Sequence, residues 1–246
     1  MTTVFPRFSV RFLTVTLRLL ASGLRLAAIA WFALLLPATV AAEWKGGIEG
    51  GTVINDDGDA ATRIRLKMIN ALPPWSHQIY VDWLRNADGH NGYEAGYLPR
   101  YRFGDGPLYL FGEARMRVDR PLLIERQQFL FAGLGAQWAN SPAQSLILEV
   151  GAGSRNTEAL DGTESDETIG LVRGSLRRWL GDALRLEFDA DAEIGEEVVE
   201  TTTETGLALR LGTGAIKVSY RTRRLSPEEG ESVSDSDTFV SYNFGL

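Results

Sequence analysis

The sequence lacks cysteine altogether and contains only two histidines, His77 and His90. The absence of cysteine excludes both a disulfide scaffold and a thiolate metal site. Two histidines leave little material for acid–base catalysis, in which histidine is the most frequent participant. We therefore predict a protein without catalytic, cofactor-binding or metal-ligating residues, whose stability comes from its secondary structure.

Long hydrophobic runs are absent beyond residue 42, where no segment approaches the ~20 apolar residues of a transmembrane helix. The apolar run Leu26–Leu36 follows four basic residues and no acidic ones: Arg7, Arg11, Arg18 and Arg25. Small residues follow the run and end at Ala42. This order is typical of a secretory signal peptide, with a membrane anchor as the alternative. We predict a signal peptide over residues 1–42 and one domain over residues 43–246.

Basic residues are in the minority in the predicted mature domain. Without the four signal arginines, 21 Lys and Arg stand against 32 Asp and Glu, a net charge of −11. An acidic protein is a poor partner for nucleic acid, so nucleic-acid binding is not expected.

Alternating patterns divide residues 43–246 into twelve candidate strands, separated by segments rich in turn residues. The candidates are Trp44–Ile54, Ala60–Ile69, His77–Arg85, Tyr93–Phe103, Leu108–Asp119, Gln127–Trp138, Ser145–Asn156, Thr168–Trp179, Ala183–Ile194, Val199–Leu211, Ala215–Arg223 and Asp237–Leu246. Their lengths of nine to thirteen residues are close to the ~9–11 of a tilted membrane strand, whereas globular strands average about 5–6. The pattern predicts an all-β fold, an antiparallel up-and-down transmembrane β-barrel of about 12 strands.

The last strand supports this interpretation. Apolar and aromatic residues recur at every second position up to the final residue: Thr238, Val240, Tyr242, Phe244 and Leu246. A terminal strand with one apolar face and aromatic residues near its end is typical of Gram-negative outer-membrane barrels. The cell outer membrane is therefore the predicted location.

Alternation separates two faces but does not identify the inner one. In Ala183–Ile194, for example, Leu186 and Phe188 lie opposite Arg185 and Glu187. We expect the apolar face to contact lipid. The alternative is a soluble periplasmic barrel that encloses an apolar ligand.

With the apolar face outside, the charged residues line the lumen. The predicted lumen residues are Arg63, Arg65, Lys67, Glu113, Arg115, Arg117, Asp119, Glu149, Arg155, Arg185, Glu187, Asp189, Asp191, Glu193, Glu204, Arg210, Lys217 and Arg221. Both signs are abundant, and ion-paired side chains can fill a ~12-strand barrel, whereas ~16–18-stranded porins leave a channel. A narrow or closed lumen is expected, with a narrow solute or ion channel as the alternative.

Turns and tryptophans predict the orientation of the barrel. Short turns are expected at the periplasmic side and longer acidic loops outside, at Glu158–Glu167 and Arg224–Ser236. Trp44, Trp75, Trp138 and Trp179, with Tyr101 and Tyr109 nearby, all fall at the predicted periplasmic end. Such amphipathic rings are expected at the lipid–water boundary.

Two further segments have residues found in functional sites, a histidine-containing loop and a set of acidic loops. His90-Asn91-Gly92 has the histidine of an outer-membrane lipid hydrolase segment, but Gly92 stands where the serine is needed. A solvated loop is the simpler interpretation of His90.

The acidic loops contain the oxygen ligands that Ca²⁺ and Mg²⁺ prefer, without the spacing of a defined cation loop. Their residues are Asp56, Asp57, Asp59, Asp161, Glu164, Asp166, Glu167, Glu228, Glu229, Glu231 and Asp235.

Three segments carry a family resemblance: Trp44–Gly50, Gly133–Gly135 followed by Leu148–Arg155, and Ser236–Phe244. The chain resembles the salt-induced outer membrane proteins of Gram-negative bacteria, a family whose domain has no assigned function. It departs from that pattern at Asn55–Asp59, where Gly-Asn-Thr is usual, and in its extension by Gly245-Leu246. The resemblance implies an outer-membrane barrel, neither a reaction nor catalytic residues, and a link to osmotic response.

Together these observations predict a non-enzymatic, monomeric outer-membrane barrel that functions in envelope integrity or osmotic response. Its expected partners are membrane lipid, lipopolysaccharide and the outer-membrane barrel assembly machinery. No cofactor is expected.

Overall fold

The computed structural model describes residues 44–56, 58–85, 91–119, 124–138, 141, 143–228 and 230–244. The predicted signal peptide, His90 and Gly245-Leu246 lie outside the described residues. Within these ranges, no helix is long and apolar enough to cross a membrane.

Twelve β-strands form the described domain. They are β1 (Trp44–Asn55), β2 (Ala60–Leu72), β3 (Trp75–Arg85), β4 (Asn91–Arg102), β5 (Leu108–Asp119), β6 (Ile124–Trp138), β7 (Gln144–Ala159), β8 (Glu164–Trp179), β9 (Leu184–Ile194), β10 (Val198–Leu211), β11 (Gly214–Pro227) and β12 (Val233–Phe244). All twelve predicted strands are confirmed, most with ends that differ by a few residues.

The sheet closes on itself because β1 pairs with β12. Every strand is antiparallel to its sequence neighbours, and the closing pair is antiparallel as well, with Gly50 opposite Tyr242. Closure leaves no unpaired edge, as a sheet in lipid requires. The predicted antiparallel up-and-down barrel is confirmed.

The loops at the two ends of the barrel are similar in length, and the predicted long loops are largely parts of extended strands. We call the end where β1 begins and β12 finishes the terminal end, and the opposite end the loop end. The predicted long loop Glu158–Glu167 is wrong, because Asn156 pairs with Asp166 and Glu158 with Glu164, so that β7 and β8 continue to a four-residue turn. Similarly, β11 and β12 extend into Arg224–Ser236, where Leu225 pairs with Val233.

Large apolar side chains cover the outside of the barrel. On β9, Phe188 is 38% exposed while neighbouring Glu187 is 6% exposed. On β12, Val240 is 44% exposed and Phe239 only 1%. The predicted outward set on β12 is confirmed as far as Phe244, whose ring is exposed. A soluble barrel with an apolar ligand cavity needs the opposite arrangement.

An apolar cluster inside the barrel was not predicted. It consists of Tyr109, Phe111, Phe129, Phe131, Ile169 and Leu171, on the inner faces of β5, β6 and β8. Glycines on β6 and β7 make room for these rings. A Cβ atom at Gly133 would lie 2.7 Å from the Phe111 ring, and one at Gly153 would lie 2.8 Å from Phe131.

The aromatic residues near the terminal end divide between the two faces. Trp44, Trp75 and Trp138 are exposed on the outside, as predicted. Trp179 is not: it pairs with inward-facing Arg185, and its ring lies 5.3 Å from the Arg185 guanidinium. Tyr109 is also inside, because its hydroxyl donates a hydrogen bond to buried Glu149 at 2.8 Å.

Candidate functional site

The charged lumen is the candidate functional site. All the predicted lumen residues occupy inward-facing positions, because each shares the strand parity of buried residues such as Glu113, Glu149 and Lys217. The structure adds nine charged partners that the predicted lumen set omitted: Glu49, Asp82, Glu94, Arg100, Glu167, Arg173, Arg177, Glu200 and Arg223.

Ion pairs cross the lumen near the loop end. Arg117 on β5 donates to both carboxylate oxygens of Glu200 on β10, at 2.9 and 3.0 Å. Glu200 also accepts from Arg223 on β11 at 2.8 Å, and Arg223 reaches back to Asp119 on β5. Because β5 and β11 have five strands between them in either direction, these contacts span the full width of the barrel.

A second crossing lies beside the first. Arg115 on β5 pairs with Glu193 on β9. The same guanidinium lies 4.0 Å from the centre of the Phe129 ring, so a cation–π contact accompanies the ion pair. On the wall between β5 and β9, Arg155 of β7 pairs with Glu167 of β8. Arg115, Glu193 and Arg155 are all buried.

Toward the terminal end, buried Glu149 accepts hydrogen bonds from donors on three strands. Its Oε1 accepts from the Tyr109 hydroxyl at 2.8 Å and from Arg100 Nη2 at 2.9 Å. Arg173 contacts Glu149 at 3.4 Å and Glu113 at 2.9 Å. The carboxylates of Glu113 and Glu149 are therefore charge-compensated although they are removed from solvent.

A further network occupies the wall around the closing strands. Arg65 on β2 binds the two oxygens of Glu204 on β10 at 2.9 and 2.8 Å, a bidentate pair. Lys217 contacts Glu204 at 3.0 Å and Glu187 at 3.2 Å. The Arg65 guanidinium lies over the ring of buried Phe239, 5.2 Å from the ring centre.

Accessibility inside the lumen changes toward the terminal end. The side chains of Arg177 and Asp189 are 37% and 43% exposed although both face inward. Lys67 and Arg210 are exposed as well. The lumen is therefore packed with buried ion pairs toward the loop end and accessible to water toward the terminal end.

Alternation could have identified the omitted lumen residues. On β4, Glu94, Gly96, Leu98 and Arg100 share the inward face, but small and apolar residues between the charged ones weaken the pattern. Which acid meets which base is not encoded in a single strand. It depends on how the strands are staggered around the closed barrel.

The acidic loops form no evident cation site. Among the described residues, no group of three or more His, Asp and Glu lies close enough to hold a metal ion. In the β7–β8 turn, the Thr163 backbone N–H donates to the Asp161 carboxylate at 2.9 Å, which lowers the pKa of Asp161.

Comparison with solved structures shows a porin-like fold. The NanC porin superposes with a TM-score of 0.54 at 10% identity, covering 82% of this chain and all of that chain. The KdgM porin gives 0.50 at 10% identity, covering 81% and 99%. At this identity the likeness concerns the fold alone. The fold and the apolar exterior agree with the predicted outer-membrane location.

Comparison of sequences identifies the family. The chain is 27% identical over 157 residues to "Uncharacterized protein YdiY" of Escherichia coli (strain K12), a match that covers 63% of this chain. It spans 62% of that relative, less than two thirds of its length. The family described as "Protein of unknown function, DUF481" matches residues 59–245. The chain belongs to this outer-membrane family of unknown function.

Proposed function

We propose that the protein is a non-enzymatic barrel of the outer membrane whose lumen is closed near the loop end by its own side chains. In this proposal the terminal end faces the periplasm, and the exposed rings of Trp44, Trp75 and Trp138 lie at the lipid–water boundary there. The observation that carries the proposal is the pair of contacts that Arg117 and Arg223 make across the lumen, to Glu200 and Asp119.

The geometry of the crossing supports closure. Two strands almost opposite each other are joined by one Arg–Glu pair, so side chains meet across the lumen at this level. The apolar cluster fills the wall next to Arg115, where Phe129 and Phe131 are buried. A ~12-strand barrel is narrow enough for side chains to reach across, unlike the ~16–18-stranded porins.

The burial of these ion pairs makes opening costly. To admit a hydrated solute, both Arg117 and Arg223 must leave Glu200, which would then remain as a buried, uncompensated charge. Removing one partner of a buried pair typically costs about 3–5 kcal/mol. Spontaneous opening is therefore expected to be rare.

A narrow channel is the second candidate. Two observations favour it: the fold is shared with porins, and the terminal-end half of the lumen is accessible at Lys67, Arg177 and Arg210. In this case the layer of Arg117, Glu200 and Arg223 would act as the constriction.

The proposed surroundings of the barrel are lipid and lipopolysaccharide. Near the loop end, Arg85, Arg126 and Arg224 are exposed on outward-facing positions. Arginine forks suit phosphate, so these residues would bind lipopolysaccharide phosphates in the outer leaflet.

The proposal also includes a monomeric protein that the outer-membrane barrel assembly machinery inserts. The physiological role would lie in envelope integrity or osmotic response, the latter resting on the family resemblance.

Planar-bilayer recording tests closure directly. The full chain, folded and shown to be a barrel by heat-modifiable gel mobility, is inserted into a bilayer in 1 M salt. A closed lumen gives no unitary current steps. Regular steps of constant amplitude from the unmodified protein would replace closure with the channel.

A further inference from the structure

The charges of the lumen are polarised along its axis. Toward the terminal end of the described strands, basic residues predominate on the inward face, among them Arg100, Arg102, Arg177, Arg185 and Arg210, and Glu187, opposite Arg177, is acidic. Toward the loop end, acidic residues predominate, among them Glu94, Asp119, Glu167, Glu193 and Glu200. The only acidic residues of the described terminal-end turns are Asp105 and Asp182.

Several of these cations bind neutral partners. Arg102 donates to the Gly106 carbonyl at 3.3 Å and to the Gln137 amide oxygen at 2.6 Å. Arg210 stacks on the Trp179 ring, with the guanidinium 4.2 Å from its centre. Among the described residues, neither Arg210 nor Lys67 lies within ion-pair distance of a carboxylate.

Where acidic partners exist, they are distant or shared between two cations. Glu149 pairs with both Arg100 and Arg173, and Glu187 pairs with both Arg185, at 2.6 Å, and Lys217. Arg177 approaches Asp189 only at 3.3 Å, and both side chains are more than a third exposed. Lys67 is within electrostatic range of Arg177 and Arg100 as well as of Asp189 and Glu187. The positive charge of this region is therefore incompletely neutralised, in a space open to water and enclosed by the barrel wall, where fields are focused.

We infer that the terminal end of the lumen is a basic vestibule that binds small multivalent oxyanions, molecules bearing phosphate or carboxylate groups. Guanidinium groups on inward-facing positions of β4, β8, β9 and β10 line it, and their planar forks match both kinds of oxyanion. The vestibule ends within the barrel if the proposed closure holds, so this feature rests on the proposed function. Anion binding rests only on the charge distribution. In the proposed orientation, the anions enter from the periplasm.

Isothermal titration calorimetry tests the vestibule, with the full chain folded in zwitterionic detergent and titrated with inorganic pyrophosphate or citrate. The test variant is Arg177→Gln with Arg210→Gln. The control is Arg178→Gln, compared also with Arg177→Gln alone, because it removes the same charge from an exposed, outward-facing position adjacent to Arg177. Arg177 and Arg210 are exposed, so the test variant is expected to fold, as gel mobility would verify.

The vestibule predicts that at least one anion binds the unmodified protein and the control equally. The test variant should bind at least about tenfold more weakly, a difference of about 1.4 kcal/mol. A preference for pyrophosphate or citrate identifies phosphate or carboxylate as the favoured group. No binding of either anion, or equal losses in Arg177→Gln and in the control, would overturn the inference.

A bilayer recording with pyrophosphate on both sides separates this inference from closure. Binding without current supports both. Binding with anion-selective current keeps the vestibule and rejects closure, whereas silence without binding keeps closure and rejects the vestibule.

Discussion

Arg117 on β5 forms hydrogen bonds with both carboxylate oxygens of Glu200 on β10, at 2.9 and 3.0 Å, although the two strands lie on nearly opposite sides of the barrel. Four strands separate them in one direction and six in the other. A contact of this kind fixes the width of the lumen as well as its charge. Substitution of these two residues therefore tests whether side chains close the lumen.

Removal of this crossing should open the lumen. Arg117→Ala combined with Glu200→Ala deletes both side chains of the pair and is expected to produce unitary current steps in planar bilayers. The matched control is Arg126→Ala with Glu158→Ala, an exposed pair at 2.7 Å outside the lumen. Silence of the crossing variant, folded and inserted, would mean that other side chains close the barrel.

Burial should set the energetic contribution of each ion pair. Arg155→Met leaves buried Glu167 without its guanidinium and should lower the free energy of unfolding by about 3–5 kcal/mol. Arg126→Met breaks an exposed pair on the neighbouring strands and should cost only about 0–1 kcal/mol. Urea titration in lipid vesicles measures both. Equal losses would show that the lumen pairs are solvated.

Close packing of the inner wall should make its glycines sensitive. A side chain at Gly135 would collide with the Tyr109 ring and disturb the hydrogen bond from Tyr109 to Glu149. Gly135→Val is expected to destabilise the barrel by about 1–3 kcal/mol or more. At Gly50 a Cβ atom meets nothing within 4 Å, so Gly50→Val serves as the control. Unfolding titrations in which both variants matched the unmodified protein would contradict the described packing.

The exterior should respond to charge according to depth. Val150 is 55% exposed near the middle of β7, and Val150→Arg should cost about 2–4 kcal/mol in lipid. Ile54 lies near the loop end of β1, and Ile54→Arg should cost only about 0–1 kcal/mol. The comparison uses vesicle unfolding titrations. An insensitive Val150 would indicate that β7 does not face hydrocarbon.

The fold was largely predictable because alternation survives in most strands. The predicted bounds of Leu108–Asp119 coincide with β5, where charged and apolar residues alternate from Glu113 to Asp119. The ends of β7 and β8 were missed because their acidic residues resemble a solvated loop. In the structure, Asn156 donates to Asp166 at 2.9 Å across this hairpin, so polar side chains extend it.

The candidate site was predictable only in part. Charged residues marked the inward face correctly on β5 and β9. On β6 the only charged residues are Glu125 and Arg126, at the beginning of the strand, so Phe129 and Phe131 could not be assigned to the interior. Trp179 was placed at the lipid boundary by residue type, whereas strand parity directs it to Arg185 and Arg210. Contacts across the lumen depend on barrel closure, which no local pattern encodes.

The most direct test is a single-cysteine scan of β9, which is feasible because the sequence contains no cysteine. Cysteines replace Arg185, Leu186, Glu187 and Phe188 in turn, and each folded variant in lipid vesicles is exposed to a bilayer-dissolved thiol reagent. The account predicts labelling at positions 186 and 188 and protection at 185 and 187. Labelling at 185 and 187 with protection at 186 and 188 would contradict a barrel that is apolar outside and ionic within.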